Sequence, residues 1–152
     1  IFYPEDGEVK INSNQIGYVG VTPLIISDTL RQNFLYGNKD IKSDEEIQEL
    51  VNEFQLFKNN EKNLDTVVDS KSLSSGQMQK ISFIRSLLAD VKLLLLDEST
   101  SNLDIETKDL IFKILKNKKI TIINSTHNKD DFEYDHHLTI RYSEEKRLVE
   151  YV

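Results

Sequence analysis

Residues 93–96 lack any polar position: Leu93-Leu94-Leu95-Leu96 is wholly apolar and is followed at once by Asp97-Glu98 and the polar turn Ser99-Thr100-Ser101-Asn102. So short a run, bounded by a turn, predicts a strand buried on both faces of a parallel sheet. Ile16-Gly17-Tyr18-Val19 reads as a second strand, left through Val21-Thr22-Pro23, and the run from Ile120 to Asn124 as another buried one. Helical spacing recurs between them. Met78, Ile81, Ile84, Leu87 and Leu88 follow Leu73-Ser74-Ser75-Gly76-Gln77, and Leu110, Ile111, Ile114 and Leu115 follow Asp104. Ile47, Leu50, Val51 and Phe54 share one face behind Ser43-Asp44-Glu45-Glu46, a capping-box spacing. Thr29 to Gly37 reads as a short amphipathic helix stopped by the glycine. Glu8 to Ile11 alternates as an edge strand would, and Lys58 to Asn63 is a polar connection. Leu138 to Arg141, bordered by His136 and His137, and Arg147 to Val152 read as the last two strands.

Strands interleaved with helices define an α/β domain whose ligand would sit outside the carboxyl ends of the strands. Asp97 and Glu98 fall at such an end. Adjacent acids there suit a phosphate site, one holding Mg²⁺ through its water shell and the other orienting or deprotonating a water. The plain alternative is a core strand that ends in a solvated acidic turn. At Leu73 to Gln77, Ser74 can cap the helix and Gly76 leaves room for close backbone approach. The helix terminus then offers free N–H groups to an anion, at about 0.3–2 kcal/mol per interaction, enough to complete a site but not to hold a nucleotide alone.

The order Leu73-Ser74-Ser75-Gly76-Gln77, Leu93 to Glu98, Ser101-Asn102-Leu103-Asp104 and Ser125-Thr126-His127 resembles the signature, Walker B strand, D-loop and switch histidine of the ATP-binding cassette (ABC) ATPases. Thr29 to Gly37 is similar to the exporter pattern T-I/L-R-E-N-I-L-Y/F-G. The resemblance implies a P-loop NTPase-type core sheet flanked by helices, with core at 1–26 and 90–152 and a helical subdomain at 27–89. It implies ATP and Mg²⁺, with Glu98 as general base, Asp97 as indirect metal ligand and His127 as γ-phosphate contact. Ser74, Ser75, Gly76, Gln77 and Asp104 would meet nucleotide across a head-to-tail dimer with a second ABC ATPase domain. Transmembrane domains outside this chain would hold it at the cytoplasmic face of a membrane.

Three departures qualify what the resemblance implies. Val21 stands where the family carries the Q-loop glutamine, so a nonhydrolysing nucleotide-dependent clamp is an alternative to an ATPase. The loop between Thr66 and Leu73 is short and lacks the usual glycine. The phosphate-gripping loop G-x-x-x-x-G-K-S/T is absent from the sequence. Ile1 to Asp6 resembles the end of the helix that follows such a loop, so the chain is expected to be an amino-terminally incomplete cassette, inactive by itself.

Composition narrows the class further. At 152 residues the chain suits one domain. It has no cysteine, which excludes disulfides and thiolate-bound metal. A net charge of −7 argues against nucleic-acid partners, and so against a third reading as a soluble repair or translation ATPase. No apolar run approaches the ~18 residues of a membrane span.

Overall fold

The computed structural model describes residues 6–57, 62–127, 133–142 and 147–151. The expected helix end at 1–5, most of the connection at 58–63, and Val152 lie outside them. Three parallel strands in the order β1 (Ile16–Val19), β4 (Leu93–Asp97), β5 (Thr121–Ser125) form the core sheet. Their register sets Tyr18, Leu95 and Ile123 side by side, and Asp97 beside Ser125. The expected P-loop-type α/β architecture of parallel strands joined through helices is what the chain adopts.

Helix α3 (Ser75–Leu88) lies against β1 and also touches α1 (Leu30–Leu35) and α2 (Asp44–Glu53). Gly17 makes the seat possible: a Cβ there would stand 3.0 Å from Val91 Cγ1, 3.1 Å from Leu94 Cδ1 and 3.3 Å from Ser86 Cβ. Leu94, Leu96, Phe83, Ile84 and, from α4 (Ile105–Lys116), Ile111 and Leu115 join in a single core. Each helix begins where its cap residue permits. Ser43 and Ser74 form reciprocal capping boxes with Glu46 and Gln77, while Thr29 and Asp104 accept from Gln32 and Thr107. Gly37 stops α1 with a φ of 81°.

Alternation across the sheet corrects two expectations. Gly17, Val19, Leu94 and Leu96 are buried, but Ile16, Tyr18 and Ile123 on the other face are exposed, with Leu93 and Leu95 half-buried between them. Strands β4 and β5 are therefore covered on one face, not two, because no described helix crosses the other. The edge strand expected at 8–11 is absent as well: Val9 and Ile11 are exposed and pair with nothing in a sheet. An alternating pattern supplies a face, but a strand also needs a partner's backbone. Two-residue strands β2 (Asp28–Thr29) and β3 (Val67–Val68) pair antiparallel, and β6 (Leu138–Tyr142) pairs with β7 (Arg147–Tyr151).

Candidate functional site

β4 delivers Asp97 to the carboxyl edge of the sheet, and the chain turns sharply at the next residue. Glu98 has a φ of +50°, a left-handed conformation that costs a non-glycine residue about 1–2 kcal/mol. Three hydrogen bonds hold it there. Its N–H donates to Ser125 O at 2.9 Å, and its carbonyl accepts from the Ser101 N–H at 3.2 Å and the Ser101 hydroxyl at 2.9 Å. Positive φ at Gln55 and Asp90 follows helix ends, where such a turn is ordinary. At Glu98 it directly follows the end of a strand and aims a carboxylate.

That carboxylate is three-quarters buried and used on one oxygen only. Oε1 lies 2.9 Å from the His127 backbone N and 2.8 Å from its Nδ1, whereas Oε2 is buried without a hydrogen-bond partner. The neighbouring Ser99 hydroxyl is buried and unpartnered too. Unsatisfied buried polar atoms cost about 1–3 kcal/mol each and are rare away from functional sites. His127 reaches Glu98 because β5 runs parallel to β4 and ends beside it.

A cleft opens over Glu98. Ser75, Met78 and Gln79 of α3 line one side, Val21 and Pro23 of the β1–β2 loop another, and Ser99, Ser101, Asn102 and Leu103 the floor. The structure thus brings Val21, Ser75 and Glu98 to one cleft, His127 to Glu98, and Asp97 to the adjoining strand end. Ser74 and Gln77 are committed to each other: the Gln77 N–H donates to Ser74 Oγ at 3.2 Å and the Ser74 N–H to Gln77 Oε1 at 2.9 Å. Gly76 has open space where a Cβ would stand. Asp104 lies at the start of α4, where Oδ1 and Oδ2 take the Thr107 N–H at 2.8 Å and its hydroxyl at 3.0 Å. Those bonds hold the Asp104 carboxyl below its usual range.

Tyr18 is a site neighbour that sequence pattern did not single out. Its hydroxyl donates to Asp97 Oδ2 at 3.2 Å; desolvation first, and then this bond and the charge of Asp97, raise the phenol's pKa. The available signal was an aromatic residue one position before the end of a strand bound for the same edge. Among the described residues no cluster of three His, Asp or Glu side chains forms a metal cage. A Mg²⁺ ion beside Asp97 would therefore depend on phosphate oxygens and water for its remaining ligands, the usual habit of that ion. The exposed acid and the unpartnered Glu98 oxygen fit such a group.

A parallel α/β sheet with two adjacent acids at its carboxyl edge, one of which, Glu98, shares a cleft with the start of a capped helix, has the layout of a nucleotide-site class of protein. The ABC transporter family profile matches residues 3–101, and the chain belongs to that family. It is 30% identical to the ATP-dependent permease MDL1 of Candida albicans over 98% of this chain and 25% of that protein. It is 39% identical to the probable multidrug resistance ABC transporter ATP-binding/permease protein YheI of Bacillus subtilis, over 68% of this chain and 19% of that one. Identity to the ATP-dependent lipid A-core flippase of Vibrio vulnificus is 36%, over 78% and 22%. The chain thus spans a quarter or less of these relatives' length. No described helix is long and apolar enough to cross a membrane.

Proposed function

We propose that this chain is the catalytic-carboxylate and signature portion of an ABC exporter's ATPase domain, coupling ATP hydrolysis to transport through membrane-spanning domains. The single observation that carries the reading is Glu98: a carboxylate at the sheet's rim with one oxygen anchored by His127 and the other buried, unpartnered and beside a cleft. Such an oxygen can accept the proton of an attacking water. Asp97 would hold Mg²⁺ through water, with the Tyr18 hydroxyl fixing one carboxylate oxygen. Bound Mg²⁺ supplies charge neutralisation to the phosphates. His127 keeps Glu98 oriented and faces the same edge, where a γ-phosphate would lie. Ser74, Ser75, Gly76 and Gln77 present the start of α3, and Asp104 the start of α4, to the nucleotide of a second ABC ATPase domain placed head to tail. In that arrangement the domain works at the cytoplasmic face of a membrane.

The sequence has no G-x-x-x-x-G-K-S/T loop, so the 152-residue chain alone is expected to bind ATP weakly and turn none over. The test is Glu98→Gln in a polypeptide that also supplies such a loop. Turnover should fall by about 10²–10⁴-fold, the worth of a general base, with ATP binding kept. Unchanged turnover overturns the assignment. Val21 favours a second reading: it lines the cleft with no donor or acceptor to offer a water or metal, as suits a clamp that closes on nucleotide without cleaving it. ATP-dependent dimerisation with no phosphate release would select the clamp.

A further inference from the structure

Arg85 is a cation in α3 that the chemistry above does not use. It is partly buried, and that burial lowers its pKa. Its Nε donates to the Asn33 carbonyl at 2.7 Å and its Nη2 to the Leu24 carbonyl at 2.8 Å, and its guanidinium lies 5.7 Å from the Tyr36 ring centre. No carboxylate of a described residue pairs with it in a salt bridge. A desolvated guanidinium held by carbonyls and a ring is costly to place, and it remains where its fixed fork of donors sets geometry.

Of the two carbonyls Arg85 binds, that of Asn33 belongs to α1 and that of Leu24 to the loop between β1 and β2. Leu24 lies one residue beyond Pro23, which with Val21 lines the cleft over Glu98. Two further side chains hold the same loop. Gln79, buried in α3, donates Nε2 to the Gly20 carbonyl at 3.0 Å. Asn33, fully buried in α1, accepts the Ile26 N–H at 2.9 Å and donates to the Ile26 and Thr29 carbonyls at 3.0 and 3.1 Å. The loop is therefore fastened before, after and at the far end of Val21–Pro23, and both α3 fasteners sit on the helix whose first turn forms the cleft's other side.

We propose that Arg85, with Asn33 and Gln79, is a positioning residue that ties the β1–β2 loop to α3, so that cleft wall and signature helix move as one body over Glu98. The cleft's nucleotide chemistry rests on the proposed function; the fastening itself does not. The test uses the 152-residue chain without nucleotide, so the two ideas fail separately. In Arg85→Met, which keeps the apolar stem and loses the donors, exchange of the Ile26 amide should rise at least tenfold. Amides of Ile111 to Leu115 in α4 should stay within twofold. Carbodiimide labelling of Glu98 should quicken severalfold, and Arg85→Lys, able to reach one carbonyl, should restore part of both. An unchanged Ile26 amide and Glu98 labelling, or an equal rise across α4, overturns the proposal. Should Arg85→Met not fold, Arg85→Lys decides by the same two readings: faster than wild type with α4 unchanged supports it, and no difference overturns it.

Discussion

Gly17 and Gly76 both lack a side chain, and the structure assigns the omission to different causes. At Gly17 a Cβ meets Val91, Leu94 and Ser86 at 3.0–3.3 Å, and those three are buried at 4%, 0% and 7% exposure. None can give way cheaply, so Gly17→Ala overpacks the α3–β1 seat at about 1–3 kcal/mol. Alanine returns about 0.4–1 kcal/mol by restricting the unfolded chain, as the backbone there is extended and accepts it. Taking the middle of each range, about 2 kcal/mol less about 0.7 kcal/mol, the net loss is about 1.3 kcal/mol, which lowers a urea midpoint by about 0.7 M at an m of about 2 kcal/mol/M. Gly76 has no atom within 4 Å of its missing Cβ and sits in the first turn of a helix. Gly76→Ala should leave the midpoint equal or raise it, by up to about 1 kcal/mol of helix propensity. Paired urea titrations followed by circular dichroism read both variants. Equal stability for Gly17→Ala and wild type would refute the seat, and a Gly76→Ala loss as large as the Gly17 loss would refute the open space. If the room at Gly76 serves a phosphate from outside the chain, ATP turnover of the assembled domain falls in Gly76→Ala while its stability does not.

Removing the α3 cap tests the helix terminus separately. Ser74→Ala should lower unfolding free energy by about 1 kcal/mol, read in the same titration, and Ser74→Thr should recover most of it. Acid should destabilise the fold for a definite reason. Hydrogen bonds from Thr107 to Asp104 and from Ser72 to Asp69, and the Arg31 pair with Asp44, all hold carboxyls below their ordinary 3.8. The unfolded chain therefore takes up protons first, so this stability is complete above about pH 5 and is lost as pH falls through 3.8 toward the folded values. Urea midpoints from pH 6 to 3 should decline in that window, and Asp104→Asn should flatten the decline.

The parts legible in the sequence are those with a period or a cap. Ile16–Val19 and the Leu93 run form strands where the pattern predicts them, although the Leu93 run is covered on one face only, and β5 begins one residue later than its apolar run. Ser43, Ser74 and Asp104 start helices because their oxygens meet orphan N–H groups, a local fact that needs no tertiary information. Position in three dimensions was legible only through the order of four motifs. His127 and Glu98 are 29 residues apart, and nothing in either residue's surroundings announces their bond; the parallel pairing of β4 and β5 creates it. Two-residue β2 and β3 carry no period to detect. The Asn33 and Arg85 fastening did leave a trace, since a polar residue between the buried Leu30 and Phe34 must satisfy its amide somewhere.

The mismatch at the core sheet has a different origin. An unbroken leucine run is the pattern of a strand with helices on both sides, yet Leu93 and Leu95 are only half covered among the described residues. Had the second face evolved to meet water, alternation would place polar residues at 93 and 95, as antiparallel sheets do. Leucine there, flanked by exposed Ile16, Tyr18 and Ile123, leaves apolar area that costs about 25 cal/mol per Å² to keep wet. The same face carries Asp97 and the Tyr18 hydroxyl at its rim. Pattern and packing therefore diverge on the side of the sheet where Asp97 lies, and agree on the side where α3 is seated and Glu98 turns into the cleft. Substituting Leu95 by threonine separates these sides: it should cost far less than Leu94→Ala, whose fully buried side chain is worth about 2–5 kcal/mol. Equal losses in urea titration would mean that both faces are already covered in solution.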